Sequence, residues 1–367
     1  MTLAHCTVSA DMFRALVSGG SSDDVVDRLT SARLSKILLL LRRLIRTGSA
    51  GRDDTAARVC GAYDCLALVR REAPDAFRAV IGYPTVGSWI LNHARPGTRL
   101  DRLAEIAAAA AVRGRVAAEL VLSPADGSIT LPSLGTATLA GTGPVLFRFD
   151  GRSTELRRGA ATAVVTDWQG LPRIVAEHHG MRWSVRIDRP PRLAVPDAAD
   201  LTTQSLTDAD LAVWTDRLTE GWRLLVDHHP VAAREIAATV RMITPMPGGP
   251  TRRASASLSD YYGCVLMTLP ADERVAAVTL IHECQHSKLT GLLDLLPLVA
   301  TDTEDRFYAP WRGDPRPAIG LLHGIYAHLG ITGFWQRQRH VTLDPHAETE
   351  YFRWRSATLE TSTTLLD

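Results

Sequence analysis

The chain has 367 residues, of which 46% are hydrophobic and 22% charged, and its formal net charge is +1. This composition is that of a globular protein with a sizeable core, and the length fits one large domain or two to three packed modules. A net charge so close to zero gives no global electrostatic reason to expect nucleic acid or an anionic membrane as a partner.

The sequence carries no sign of export or membrane insertion. The first residues lack the order of a secretory signal, a basic stretch followed by an apolar one. The most apolar run, at 37–41, is followed by Arg42 and Arg43 and is too short to span a bilayer. The five cysteines are odd in number and scattered, which does not suggest a disulfide framework. We therefore predict a cytoplasmic protein.

The N-terminal region, residues 1–118, is predicted to be helical. Apolar residues between 25 and 41 recur at helical spacing, and Asp23 or Asp24 can cap this helix. Glycines and small polar residues at 47–54 break it, and further helical patterns cover residues 55–72 and about 100–120. Arg33, Lys36 and three later arginines share the polar face of the first helix, which is either solvated or a docking surface for a peptide.

Residues 119–195 are predicted to form a small antiparallel β module. Short apolar runs are separated here by turn residues, and Trp183, Val185 and Ile187 alternate with polar neighbours, as in a strand with one buried face. The proline-rich stretch at 189–196 follows as a linker or rigid edge. The expected fold class is α+β and mainly helical, with this module in the middle of the chain.

The C-terminal region, residues 196–367, is predicted to be helical and to carry the catalytic site. Thr207 or Asp208 can cap a helix that runs to about residue 228. A strand is expected at 264–269, where Pro270 ends it, and Asp272 can then start a helix that continues to about residue 296.

That last helix contains the sequence His-Glu-Cys-Gln-His at 282–286. His282 and His286 are four residues apart, so both imidazoles project from one helix face and can reach one metal ion, with Glu283 beside them. Two exposed histidines are the plainer reading, but the apolar residues around them disfavour it. The metzincin continuation is excluded, because Leu289 and Leu292 stand where it requires glycine and histidine. The placement after a strand predicts a zincin-like metal site.

A catalytic metal needs a third protein ligand. A carboxylate on a following segment is one option, and Glu304 or Asp305 lies at a suitable distance along the chain. His323 is the other, on an apolar helix where neighbouring glycines permit close approach of another backbone. We favour His323, since His328 lies off that helix face.

A proline-stiffened loop, residues 308–317, separates the two helices. It offers Arg312 and Arg316, and arginine is suited to bidentate capture of a carboxylate. The alternative is a structural ion pair between one of these arginines and Asp314.

Four segments of this region together resemble one known family, the HExxH-motif proteins encoded beside bacterial ribosomally synthesised and post-translationally modified peptides (RiPPs). The segments are LIHECQHSKL at 280–289, LLDLLP at 292–297, YAPWRGDPRP at 308–317 and GLLHGIYA at 320–327. The stretches SKILLLL at 35–41 and PTVGSW at 84–89 are also similar, so the resemblance covers most of the chain.

The resemblance implies a 2-oxoglutarate-dependent peptide β-hydroxylase that uses non-haem iron. Fe(II) would be bound by His282, His286 and His323, and Arg312 or Arg316 would bind the distal carboxylate of 2-oxoglutarate. With O2, the enzyme would hydroxylate a side-chain β-carbon of a ribosomally made precursor peptide. Glu283 would orient a histidine or a water molecule. No nucleic acid or membrane partner is expected, and a homodimer is compatible with the sequence.

Two other functions remain open. In a zinc metallopeptidase, Glu283 would be the general base that activates a zinc-bound water, and Tyr326 or His323 would stabilise the oxyanion. In a non-catalytic peptide-binding protein, the metal would be structural and the β module would be the docking surface. Metal identity therefore depends on the resemblance, not on motif spacing.

Overall fold

The structure is a computed structural model, which describes residues 7–20, 23–49, 54–93, 100–124, 128–165, 168–188, 206–248, 254–299, 305–342 and 344–366. Within these ranges the chain is mixed α/β and mainly helical, with eleven α-helices and small β-sheets. The expected fold class is confirmed at this level. The proline-rich stretch predicted at 189–196 lies outside the described residues. Among the described helices, none is long and apolar enough to cross a membrane.

Two compact units make up the chain. The first comprises Met1–Arg33 and Arg173–Asp367, and the second comprises Leu34–Pro172. This division does not follow the three segments expected from the sequence, because the last strands of the predicted β module pair with a strand of the C-terminal region.

In the second unit, helices precede the strands. They are α2, Asp23–Gly48, from residue 34 onward; α3, Asp54–Glu72; α4, Pro74–Ile81; α5, Pro84–His93; and α6, Arg102–Gly114. The predicted helix at 100–120 is therefore too long. Arg115 ends α6 in the left-handed conformation, with a φ of 53°, and its backbone N–H caps the helix. The chain then continues as a strand.

Two antiparallel sheets complete the second unit. One has the order β1-β4-β5-β6 and the other the order β2-β3-β7. Their strands are β1, Ala118–Leu122; β2, Ser128–Leu131; β3, Gly135–Thr138; β4, Val145–Phe149; β5, Thr154–Arg158; β6, Ala161–Val165; and β7, Gln169–Gly170.

The sheet of the first unit has the order β11-β12-β10-β9-β8. Its strands are β8, Arg173–His178; β9, Met181–Ile187; β10, Met242–Pro245; β11, Ser255–Ala256; and β12, Cys264–Met267. Trp183, Val185 and Ile187 are buried, as their alternation predicted. All strand pairs described within the predicted module are antiparallel, as expected. The parallel pairs join it to the C-terminal region, because β9 pairs in parallel with β10 and β10 in parallel with β12.

Helices of the first unit surround α9. The unit contains α1, Ala10–Val17; the first part of α2; α7, Asp208–His228; α8, Pro230–Thr239; α9, Glu273–Leu293; α10, Ala318–Val341; and α11, Pro345–Leu366. The expected helix from Thr207 is confirmed by a capping box, in which Thr207 accepts from the Asp210 backbone while the Asp210 carboxylate accepts from Thr207.

Close approach to its neighbours fixes the position of α9. A Cβ on Gly221 of α7 would lie 2.7 Å from Ala276, and one on Gly330 of α10 would lie 2.8 Å from Gln285. Lys288 is fully buried and donates to Glu235 of α8 at 2.8 Å. Because several helices pack on it, α9 presents no continuous solvated face.

Arg33 departs from the expected basic face of α2. It is buried, and its guanidinium donates to Asp294 at 2.7 Å and to the Ser259 carbonyl at 2.6 Å. Arg33 therefore stabilises the packing of α2 in the first unit. The alternative that the basic face of α2 binds a peptide now depends on the remaining basic residues of that helix.

Candidate metal centre

The local sequence explains how α9 begins. Strand β12 is buried along its whole length, and Asp272 then adopts an extended conformation and caps the helix, its Oδ1 accepting from the Val275 backbone at 2.8 Å. The strand, short turn and capped helix expected for the motif are thus present. They place His282 and His286 in the middle of α9, where neighbouring helices bury both side chains in part.

His282 and His286 direct the same ring nitrogen toward each other. Their Nε2 atoms are 3.2 Å apart and the ring planes are nearly perpendicular, at 87°. Two nitrogens bound to one metal ion at about 2.1 Å, with an angle between 90° and 109° at the metal, lie about 2.9–3.4 Å apart. The spacing of these two nitrogens therefore fits joint coordination of one ion, and it also fits one neutral imidazole donating to the other.

Burial keeps both rings in the form that a metal requires. Desolvation is the largest cause that lowers the pKa of His282, to about 3, and the pKa of His286, also to about 3. A neutral imidazole retains a lone pair on one nitrogen, and that lone pair is the metal-binding group.

Glu283 supplies the strongest sign that a cation belongs here. Its side chain is fully buried, and neither carboxylate oxygen has a hydrogen-bond partner. Its Oε1 lies 3.8 Å from Nε2 of His282. An unpartnered buried carboxylate costs several kcal/mol in an apolar site, and a cation beside the two Nε2 atoms would offset much of that cost. The residues present therefore fit a metal ion.

His323, the predicted third ligand, lies near His282 and His286 but not close enough to complete a three-ligand site. The ring centroid of His323 is 5.7 Å from that of His286, and burial lowers the pKa of His323 as well. Ligand atoms of His282, His286 and His323 do not all lie within 4.8 Å of one another. Completing a three-histidine site requires rotation of a side chain, so the role of His323 stays a prediction.

His328 is a residue that the sequence reasoning set aside and the structure brings to the same region. Its ring centroid is 5.2 Å from that of His282. Its Nδ1 lies 2.8 Å from the Gly324 carbonyl, which can only accept, so Nδ1 carries the proton and Nε2 the lone pair. The ring stacks on Trp311 at 4.0 Å and also contacts Trp354 at 4.8 Å. No sequence motif places His328 here, since its ring neighbours Trp311 and Trp354 lie on other elements.

The segment 307–316, which precedes α10, is closed at its base. Phe307 and Arg316 exchange two backbone hydrogen bonds of 2.8 Å, which join the two ends of this segment. In its middle, Trp311 packs so tightly on Gly324 that a Cβ there would lie 2.9 Å from the indole ring. The tryptophan that covers His328 is thus fixed by the same loop that carries the two arginines.

The two arginines of this loop differ in their partners. Arg312 donates to both carboxylate oxygens of Asp314, at 2.9 and 3.2 Å, whereas Arg316 approaches Asp314 only to 3.5 Å. The structural ion pair weighed in the sequence analysis is therefore formed by Arg312. Asp314 has its pKa lowered, chiefly by the hydrogen bond from Arg312.

Four other residues, candidates from the sequence or part of the motif, are already engaged, exposed or outside the described residues. Tyr326 is buried and its hydroxyl donates to the Leu16 carbonyl at 2.8 Å, so it is not free to stabilise an oxyanion. Cys284 packs in the core, and burial raises the pKa of its thiol to about 12. Asp305 is exposed in the loop, while Glu304 lies outside the described residues.

Comparison with models of known protein families gives no match for this chain, and no curated protein matches it either. The chemistry of the site must therefore be argued from its own residues and from the resemblance of its motifs.

Proposed function

We propose that this protein is a metal-dependent enzyme whose metal ion is bound by His282 and His286, with His323 as the third protein ligand. The observation that carries the proposal is the pair of Nε2 atoms 3.2 Å apart beside a buried carboxylate without a hydrogen-bond partner. Without a cation this arrangement leaves both oxygens of a buried carboxyl group without a partner, which native proteins rarely tolerate.

We further propose that the metal is Fe(II) and that the reaction is 2-oxoglutarate-dependent hydroxylation of a peptide β-carbon. The support for iron is the resemblance of residues 280–327 to the HExxH-motif proteins of RiPP biosynthesis. Bound Fe(II) would supply activation of O2, with one oxygen atom going to the peptide and the other to 2-oxoglutarate, which leaves as succinate and CO2. Three histidines differ from the two histidines and one carboxylate usual for such oxygenases.

Residues around the proposed metal site would keep the histidines neutral, orient them and hold the neighbouring loop in place. Packing around α9 limits the contact of the two histidines with water, and this desolvation lowers their pKa values and favours the neutral rings. The buried Glu283 is placed to fix ring orientation or a water molecule beside His282, from which its Oε1 is 3.8 Å away. The stacking of Trp311 on His328 holds the loop over this region.

Arg316 is the better candidate for the distal carboxylate of 2-oxoglutarate. Arg312 already donates two hydrogen bonds to Asp314. The side chain of Arg316 lies along Gly320, with its Nε 3.6 Å from the position of a Cβ there. His323 is three residues beyond Gly320 and so lies on the same side of α10. A guanidinium at this position can reach toward the metal region and pair with a carboxylate in bidentate geometry.

The direct test uses the whole protein with a short precursor peptide encoded next to its gene. Incubation with Fe(II), 2-oxoglutarate and O2 is expected to add the mass of one oxygen atom to the peptide and to form succinate. Anaerobic protein with Fe(II) and 2-oxoglutarate should show a weak visible charge-transfer band. Replacement of His286 by Gln should abolish both results, while the same change at the exposed His340 should leave both intact.

A zinc metallopeptidase is the second candidate, favoured by one observation. Glu283 lies on the metal side of His282, where a general base would face a zinc-bound water. Cleavage of the peptide with Zn²⁺ alone, without 2-oxoglutarate, would overturn the hydroxylase proposal in favour of this one. If neither reaction occurs and metal removal only lowers stability, the metal is structural and the protein binds peptide without catalysis.

A further inference from the structure

A second cluster of metal-binding side chains lies far along the chain from the HExxH motif, where the β8–β9 turn meets the end of α7. Nε2 of His178 is 2.8 Å from Oδ1 of Asp227, and Nε2 of His179 is 3.4 Å from the same oxygen. The ligand atoms of all three residues lie within 4.8 Å of one another, and within the described ranges this is the one such group of three.

The distances within this cluster suit a small transition-metal ion. Nitrogen and carboxylate oxygen ligands lie about 2.0–2.2 Å from Zn²⁺, so neighbouring ligands are about 2.9–3.4 Å apart for angles between 90° and 109°. The separations of 2.8 and 3.4 Å lie at or close to the ends of that interval. Small side-chain shifts would place one ion between the two imidazoles and the carboxylate, and water could complete its coordination.

The turn that presents the two histidines has an unusual residue in it. His178 pairs with Met181, so the hairpin has a two-residue turn, and both turn residues have positive φ, 46° at His179 and 74° at Gly180. This is the pattern of a type I′ turn, whose first position favours Asn, Asp or Gly. The histidine at that position has its ring beside Asp227, with Nε2 3.4 Å from Oδ1.

The position of Asp227 independently favours a cation. It is the next-to-last residue of α7, where the carbonyl ends of the helix carry partial negative charge and a carboxylate is electrostatically unfavourable. Cations near the end of a helix offset such a charge. A divalent ion would do so and would be accessible, because the His179 side chain is 72% exposed and that of Asp227 38%.

We propose that His178, His179 and Asp227 bind Zn²⁺ in a second metal site that fastens the β8–β9 turn to α7. Two imidazoles and one carboxylate select borderline transition metals over Mg²⁺, which prefers oxygen ligands. The site is exposed and lacks an enclosed pocket, so its role is structural. It does not depend on the function proposed for the HExxH motif.

The test maps Zn²⁺ protection of individual histidines. Metal-free protein, with His282 and His286 changed to Gln so that the other centre is removed, is modified with diethyl pyrocarbonate with and without ZnCl2, and labelled residues are identified by mass spectrometry. Zn²⁺ is expected to protect His178 and His179, and MgCl2 is not. A titration of the same protein should give one equivalent of bound Zn²⁺.

Two variants make the result specific. Asp227→Asn keeps an oxygen that accepts from the histidines, and His179→Asn suits the turn, yet each removes a strong ligand and should weaken Zn²⁺ binding at least tenfold. His340→Asn, at an exposed position on α10, should bind as before. Equal labelling of His178 with and without Zn²⁺, or unchanged Zn²⁺ affinity in both ligand variants, would overturn the proposal, because a hydrogen-bonded cluster without metal gives those results.

Discussion

At the scale of single residues, four imidazoles from two helices share one buried region. His282 and His286 come from α9, and His323 and His328 from α10, with each histidine of α10 close to a different one of α9. Since one ion can use only some of them, the arrangement poses a specific question. Which histidine of α10 is a ligand, and which holds the structure around it?

We expect His323→Gln to lower Fe(II) affinity more than tenfold, because loss of one of three protein ligands exceeds the effect of losing a supporting contact. His328→Gln should chiefly lower stability, since it removes a ring that stacks on Trp311 and contacts Trp354. Competition with a metal chelator measures the first effect and urea unfolding the second. The opposite pattern, with affinity lost only in His328→Gln, would make His328 the third ligand.

The two loop arginines give a matched pair for the co-substrate. Arg316→Gln is expected to raise the KM for 2-oxoglutarate by about 10–100-fold, which corresponds to loss of a charge-assisted interaction of about 1.5–3 kcal/mol. Arg312→Gln should change this KM little, because Arg312 is paired with Asp314. Steady-state kinetics of succinate formation decide between them, and equal effects of both changes would argue against the assignment.

At the scale of elements, the packing of α10 on α9 depends on a glycine. A Cβ on Gly330 would lie 2.8 Å from Gln285 Cγ and 3.0 Å from Ile281 Cγ2, whereas one on Gly333 of the same helix meets nothing within 4 Å. Gly330→Ala should therefore destabilise the protein by about 1–3 kcal/mol through overpacking. Gly333→Ala should be neutral or stabilise by about 0.5–1 kcal/mol through helix propensity.

Urea unfolding of both alanine variants tests this contrast. Metal affinity should follow stability only in Gly330→Ala, because that change separates the helices that carry the four histidines. Equal stability of the two variants would mean that α9 and α10 are not packed as closely as described.

Elements whose ends are set by local chemistry could be predicted, and those set by distant contacts could not. The helices that begin after Thr207 and Asp272 were expected because each start is capped by its own side chain. The helix predicted over about 100–120 is too long, because it ends at a left-handed cap on Arg115, where no glycine signals the end. Parallel pairing of β9 with β10 joins residues more than 50 positions apart, which periodicity does not encode.

The candidate site follows the same division. His282 and His286 could be paired from their spacing alone, because a helix brings residues four apart onto one face. The approach of His328 could not, since it depends on how α10 crosses α9 and on Trp311 from the intervening loop. The ion pair of Arg312 with Asp314 is local and was one of two alternatives stated for that loop.

At the scale of the whole molecule, buried neutral histidines make the metal-free protein sensitive to acid. His229, which lies between α7 and α8, allows this effect to be measured separately from the metal centre. Burial is the main cause that lowers its pKa from 6.5 to about 4. Gln338 Nε2 donates to His229 Nε2 at 3.0 Å, and the ring stacks on Phe334. Protonation would place two donors face to face and a charge in the core.

Because the folded pKa of His229 is below the unfolded one, the unfolded state binds more protons between about pH 6.5 and pH 4. Its contribution to stability is present above pH 6.5 and is lost as the pH falls through this window. For this residue alone we expect a loss of about 2 kcal/mol between pH 7 and pH 5. His229→Gln should remove that part of the pH dependence, as measured by urea unfolding of metal-free protein at both pH values. An unchanged pH dependence in the variant would show that His229 is already solvated or protonated in the folded protein, and would place the origin of acid sensitivity at other groups.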